Sequence, residues 1–262
     1  MGRESIVAGV FYPETRLEII SFIEPRIDGL AFLDAKICIA PHAGYVYSGK
    51  TAVNTIKHLS RSQSIVLIGP NHTGLGRQVS VYDGDSWATP LGEMRINRDI
   101  VDFLCDENLF YRDNVAHQQE HSLEVMLPIL KYFNEETKIV PITLGNLRVE
   151  QCKAIAERLA QLEKFSPAYL ISTDLNHYEN NEITLKKDDL AIEQILKLDP
   201  IGLLHTITKN QISMCGIIPV MVAIYLANIL GLKRAILVEH TTSAKASGDF
   251  KRVVGYAGIL IK

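Results

Sequence analysis

The sequence predicts an α/β fold of three layers, a mainly parallel central sheet with helices on both faces. Three observations carry this. Short β-branched runs alternate with longer stretches of helical period, the pattern of strands joined by crossover helices. Several of those runs are continuously apolar, as strands covered on both faces must be. A chain of 262 residues, 47% hydrophobic and 22% charged, has enough apolar content for one large core.

In chain order, a helical stretch at Glu14–Glu24 precedes the first apolar run, Lys36–Ala40, and Gly49–Leu59 returns to helical period before the second run, Ser64–Gly69. The weaker run Gln78–Tyr82 reads as an antiparallel partner of Gly92–Ile96 across the Asp83–Leu91 turn region. Asn97 suits the N-cap of a helix at Arg98–Glu107, and a further helix is expected at Glu120–Phe133. Strand Lys138–Leu144, helix Val149–Leu162 and strand Ala168–Ser172 follow. Helices at Thr184–Leu198, Ile201–Thr208 and Pro219–Leu230 then lead, with Gly231 as the stop, into strands Ala235–Glu239 and Val253–Ile261. No repeat, low-complexity tract or Pro/Gly/Ser-rich linker divides the chain, so residues 1–262 read as one domain.

A net charge of −3 and a pI near 6.2 leave no broad cationic surface, so nucleic acid is not an expected partner. The apolar run Ile217–Leu232 is broken by Pro219 and Asn228, which argues against membrane insertion. The start Met-Gly-Arg-Glu-Ser lacks the parts of a signal peptide and reads as a mature N-terminus. Cys38, Cys105, Cys152 and Cys215 are scattered, with no C-x-x-C pair, which fits a reducing, cytoplasmic location. The first three suit core or helix positions, where a small hydrophobe suffices.

Ligands of open α/β sheets bind beyond the carboxyl ends of the strands. Three predicted strands run into turns that carry a histidine there: Pro41-His42-Ala43-Gly44-Tyr45, Pro70-Asn71-His72-Thr73-Gly74, and Thr173-Asp174-Leu175-Asn176-His177. A lone histidine is ordinarily a satisfied or exposed side chain, and His58, His205 and His240 keep that reading. Three at equivalent strand ends indicate a site. Cys215 precedes an apolar helix with Pro219 in its first turn, a position expected to lower the pKa of a thiol and favour thiolate, although a buried cysteine at a helix start is the simpler alternative. Two imidazoles and a thiolate suit zinc, copper or Fe(II) better than magnesium or calcium.

Val7-Ala8-Gly9-Val10-Phe11-Tyr12-Pro13, Ala40-Pro41-His42-Ala43-Gly44-Tyr45, Gly69-Pro70-Asn71-His72, Glu120-His121-Ser122-Leu123-Glu124, Ser172-Thr173-Asp174-Leu175-Asn176-His177 and Cys215-Gly216 occur in that order. Together with the closing Gly255-Tyr256-Ala257-Gly258, this set resembles the Memo family over essentially the whole chain. The resemblance implies a fold like that of class III extradiol dioxygenases, with His42, His72 and Cys215 as ligands of one metal ion, Fe(II) or copper ahead of zinc. It places His177 where those dioxygenases keep an acid/base histidine, with Asp174 as its support, and Phe11, Tyr12 and His121 near the substrate, although hydrophobic core is the more common explanation of the two aromatic residues. Thiolate in place of the dioxygenase carboxylate keeps the charge but softens the donor, so the dioxygenase reaction does not transfer directly. Animal members are associated with phosphotyrosine-type peptides, so the partner is an unknown small molecule or peptide, and a homo-oligomer stays open.

His117-Gln118-Gln119-Glu120-His121 also fits H-x-x-E-H, an inverted zinc-peptidase pattern, but a helix beginning near Glu120 would leave His117 outside it. No Gly-x-Ser-x-Gly elbow and no P-loop occur, and Val79 occupies the third glycine position of a dinucleotide fingerprint begun by Gly74 and Gly76.

Overall fold

The long apolar runs become the middle of a nine-stranded sheet. The computed structural model describes residues 2–27, 29, 31–105 and 109–262. Its strands are β1 (Ile37–Ala40), β2 (Ser64–Pro70), β3 (Val79–Val81), β4 (Ser86–Trp87), β5 (Met94–Arg95), β6 (Tyr111–Arg112), β7 (Lys138–Leu144), β8 (Ala168–Ser172), β9 (His177–Glu179), β10 (Ala235–Thr242) and β11 (Val253–Ile261). The main sheet runs β10-β11-β1-β8-β2-β7-β3-β6, with β9 against β11. The four central strands β1, β8, β2 and β7 are parallel, and antiparallel pairs flank them at β11 and β3.

The helices are α1 (Arg16–Ile23), α2 (Lys50–Ile56), α3 (Arg98–Leu104), α4 (Leu127–Phe133), α5 (Val149–Ala160), α6 (Asn181–Leu196), α7 (Pro200–Asn210), α8 (Ile217–Ile229) and α9 (Ala244–Ser247). Helix α2, joined by α4 and α1, packs on β1, β10 and β11, while α8, joined by α5 and α7, packs on β8, β2 and β1. Ile65, Val66, Leu67 and Ile68 of β2 are all fully buried, which explains why this strand lacks the alternation of a half-exposed one. Asn97 caps α3 by accepting from the Ile100 N–H at 3.3 Å, as expected.

Three expectations are corrected. Strand β3 pairs with β7 and β6, whereas Met94–Arg95 pairs with Ser86–Trp87 in a separate two-stranded ribbon. The helix expected from Glu120 begins only at a 3₁₀ turn, Glu124–Met126, because Pro128 fits the first turn of α4 and no later. The third helix ends at Leu104, and its expected end, Glu107, lies outside the described residues.

The N-terminal segment is tied down by a buried ion pair. Arg3 Nη1 meets Glu124 Oε2 at 2.6 Å, and its other nitrogens donate to the carbonyls of His117 (2.7 Å) and Glu120 (2.9 Å). The guanidinium also lies 4.3 Å from the Trp87 ring centroid. Glu124 Oε1 in turn accepts from the N–H groups of Ile6 and Val7 and from the Tyr12 hydroxyl, at 2.8–2.9 Å. Removing one partner of such a pair leaves an uncompensated buried charge. Arg3→Ala is therefore expected to lower the unfolding free energy by about 3–5 kcal/mol in urea titrations, against less than about 1 kcal/mol if the pair behaved like a surface salt bridge.

Candidate functional site

Parallel register puts the carboxyl ends of three central strands side by side: Ala40 pairs with Ser172, and Ile68 with Ile171. His42, His72 and Asp174 each lie two residues past the end of β1, β2 or β8, so the sheet alone brings them to one edge. Cys215 arrives from the loop before α8. It can approach because Gly216 follows it, where a Cβ would fall 2.5 Å from the Ser172 carbonyl oxygen. Donor atoms of His42, His72 and Cys215 all lie within 4.8 Å of one another.

Hydrogen bonds decide which nitrogen each ring offers. Ser172 gives its hydroxyl proton to the Ser122 carbonyl (2.7 Å), so it accepts from His42 Nδ1–H. His72 Nδ1 donates to Glu120 Oε1 at 2.9 Å, while the His72 backbone N–H donates to Glu120 Oε2 at 2.5 Å. His177 Nδ1 donates to the Ser213 carbonyl at 2.8 Å. In all three rings Nδ1 carries the proton, and Nε2 is left with its lone pair. Such a ring can bind a metal ion or take up a proton.

Charge follows burial. His42 is held well below the usual imidazole range by burial, with His72 and His121 adding to the effect, so it is neutral. Burial raises Glu120, but the His72 ring and the backbone N–H groups of Ser122 and His72 outweigh it and bring it to about 2. Burial raises Asp174 to about 6, although the His42 N–H donates to its Oδ1 at 2.9 Å. The expected low thiol pKa is corrected: burial first, and the Asp174 carboxylate second, push Cys215 up to about 12 and overcome the N-terminus of α8. The thiol donates to His42 Nε2 at 3.4 Å.

These residues fit a metal ion. Tetrahedral coordination with metal–sulfur and metal–nitrogen bonds of about 2.3 and about 2.0 Å puts sulfur and nitrogen about 3.5 Å apart. The Cys215 Sγ to His42 Nε2 separation matches this, and a cation would replace the proton now shared by the two atoms.

His42 faces a cavity of about 420 Å³ lined also by Phe11, His72, His121, Asp174 and His177, with Tyr47, Tyr178 and Tyr256 among the aromatic walls. The His121 ring stacks on His72 at 4.9 Å between centroids and tilts against Phe11 at the same distance. Two expected roles change. Tyr12 lies in the core, its hydroxyl on Glu124, and does not line the cavity. Asp174 bonds to the His42 backbone and, through its own N–H, to Cys215 Sγ at 3.2 Å, while Ser213 holds His177.

The inverted zinc-peptidase arrangement is absent. His117 is fully buried, its Nε2 on the Ser80 carbonyl and its ring against Trp87 and Tyr82, with no place in either donor cluster found among the described residues. The second of those clusters, His72, Glu120 and His121, shares His72 with the first. Sequence reasoning missed Glu120 and Ser172 as the partners that fix the rings. Their places directly before His121 and at the end of a strand were the available signals.

A family model described as Memo-like protein matches residues 3–260. A MEMO1 family protein of Ignicoccus hospitalis is 40% identical over 277 residues, covering 98% of this chain and 97% of its own. One from Aquifex aeolicus is 36% identical over 266 residues, covering 98% of each. The solved structure of the uncharacterized protein JW3007 from Escherichia coli K12 aligns with a TM-score of 0.58 at 11% identity, over 86% of this chain and 98% of that one, a likeness of fold.

Because Glu120 is depressed in the folded state, its stabilisation is complete above its ordinary pKa of 4.5 and is lost as pH falls towards about 2. The stability difference between the native protein and Glu120→Gln is expected to shrink by about 3 kcal/mol between about pH 5 and about pH 2 in urea titrations. A difference that does not vary with pH would contradict the ionised His72–Glu120 contact.

Proposed function

The chain belongs to the Memo family, and from that premise we propose that it is a metal-dependent protein that holds one Fe(II) or copper ion, with zinc as the third choice, on His42, His72 and Cys215. The observation that carries the reading is the convergence of two imidazoles and one thiol, with donor atoms within 4.8 Å of one another, where His42 and His72 line an aromatic-walled cavity. Bound there, Fe(II) or copper would supply an electrophilic, redox-capable centre, and zinc an electrophilic one alone.

The chain's own residues supply the rest. Cys215 loses its proton on binding and gives the site its negative charge. Asp174 braces both Cys215 and His42 through the 174 backbone N–H and carboxylate. Phe11 and His121 form one wall for the substrate, and the half-exposed His177 takes or returns a proton at Nε2, since Ser213 holds its Nδ1–H. We place this activity among redox or dioxygenase-like reactions on a small molecule.

A second reading, a peptide- or protein-binding module using the same cleft, is favoured by the apolar rim: Val10 is 79% exposed and Tyr178 66%. The two are separated by anaerobic loading with Fe(II) or copper, followed by oxygen-uptake assays over a panel of small reductants. His177→Ala is expected to keep its metal and lose about 10²–10⁴-fold in turnover. Undiminished turnover in that variant would remove His177 from the reaction. Absence of turnover in the native protein, together with tight binding of peptides, would establish the second reading.

A further inference from the structure

His177 is held by Ser213, and Ser213 is itself held. Its N–H and its hydroxyl both donate to Asn176 Oδ1 at 3.2 Å, which leaves the hydroxyl oxygen to accept from the His177 backbone N–H at 2.8 Å. Asn176 is 99% buried in the sense that only 1% of it is exposed, and every polar atom of its side chain is used. Its Nδ2 donates to Glu179 Oε2 (2.8 Å) and to Thr184 Oγ1 (3.3 Å).

Behind Asn176 stands a carboxylate with no exposure. The Asn176 backbone N–H donates to Asp188 Oδ1 at 2.9 Å, and the other oxygen of Asp188 lies 3.1 Å from His240 Nε2 on β10. His240 Nδ1 is 3.3 Å from Asp189, so the imidazole bridges two carboxylates. Strand β11 passes directly over Asp188 at Gly255, where a Cβ would fall 1.8 Å from the carboxylate, and the Gly255 N–H donates to the Asn176 carbonyl at 2.9 Å. On the other side of His177, Tyr178 adopts the left-handed region at φ 63°, a conformation that persists where surrounding contacts over-determine it.

We infer that Asn176, anchored by Asp188 and His240, is a positioning residue that sets the tautomer and orientation of His177 through Ser213. A carbonyl can only accept, so as long as Asn176 keeps Ser213 in place, His177 carries its proton on Nδ1 and keeps Nε2 for the cavity. Asn176 itself does not line the cavity. The inference rests on the reading of His177 as the proton-transfer group, and its test uses no turnover.

The full-length, metal-free protein is labelled with ¹⁵N-histidine, and ring tautomers are read from long-range ¹H–¹⁵N spectra. In the native protein, His177, His42 and His72 are each expected as the Nδ1–H form. In Asn176→Ala, His177 is expected to populate both tautomers while His42 and His72, held by Ser172 and Glu120, do not change. Asp188→Asn keeps an acceptor for the Asn176 N–H and is expected to retain the native His177 signature. If Asn176→Ala fails to fold, Asn176→Leu, which keeps the shape of the side chain and removes the same acceptor of the Ser213 N–H and hydroxyl, is read in the same way. A single Nδ1–H tautomer of His177 in the folded Asn176→Ala or Asn176→Leu protein would overturn the inference, whether or not the protein binds metal.

Discussion

The site depends on the occupation of one nitrogen in each imidazole. A histidine offers a lone pair on one ring nitrogen only when the other carries the proton, and here a hydroxyl, a carboxylate and a carbonyl take the Nδ1–H of His42, His72 and His177 respectively. Each acceptor comes from a different part of the fold. Ser172 ends β8, Glu120 lies in the turn before α4, and Ser213 precedes α8. The sheet brings the rings together, but these three contacts determine what they can bind.

That requirement explains why so much polar chain is buried around the strand ends. Glu120 must be anionic to hold both the His72 ring and its backbone, so it sits among N–H donors, and the loop that carries it is fastened by Arg3 and Glu124. Arg3 thereby supports the site without lining its cavity, while Phe11, further along the same segment, forms part of the wall. Asp174 and Cys215 pose the opposite problem: burial raises both groups' hold on their protons, and the Asp174 carboxylate raises that of Cys215 further. A cation between the thiol and the imidazoles relieves that conflict, which is the physical sense in which this donor set is suited to a metal.

The sheet and the converging strand ends were legible because they depend on local pattern. Lys138–Leu144, Ala168–Ser172 and Val253–Ile261 coincide with their strands, and turns after β1, β2 and β8 can only deliver side chains to one edge. What was illegible depends on contacts far apart in sequence. Glu120 reads locally as the start of a helix, and only its 48-residue separation from His72 closes as a hydrogen bond in the fold. Tyr12 looks like a cleft aromatic until Glu124, 112 residues away, claims its hydroxyl. The thiol pKa was misjudged for a related reason: the helix N-terminus is visible in sequence, whereas the burial and the carboxylate that outweigh it are not.

The central claim is that His42, His72 and Cys215 form one metal centre. It is tested most directly by anaerobic metal analysis of the native protein beside Cys215→Ser and His72→Ala, after separate loading with Fe(II), Cu(I) and Zn(II). The account predicts about one equivalent of at least one of these ions in the native protein and a sharp loss in both variants, with the fold retained because both side chains sit at strand and helix ends. Undiminished stoichiometric metal in either variant, or no binding by the native protein, would contradict it.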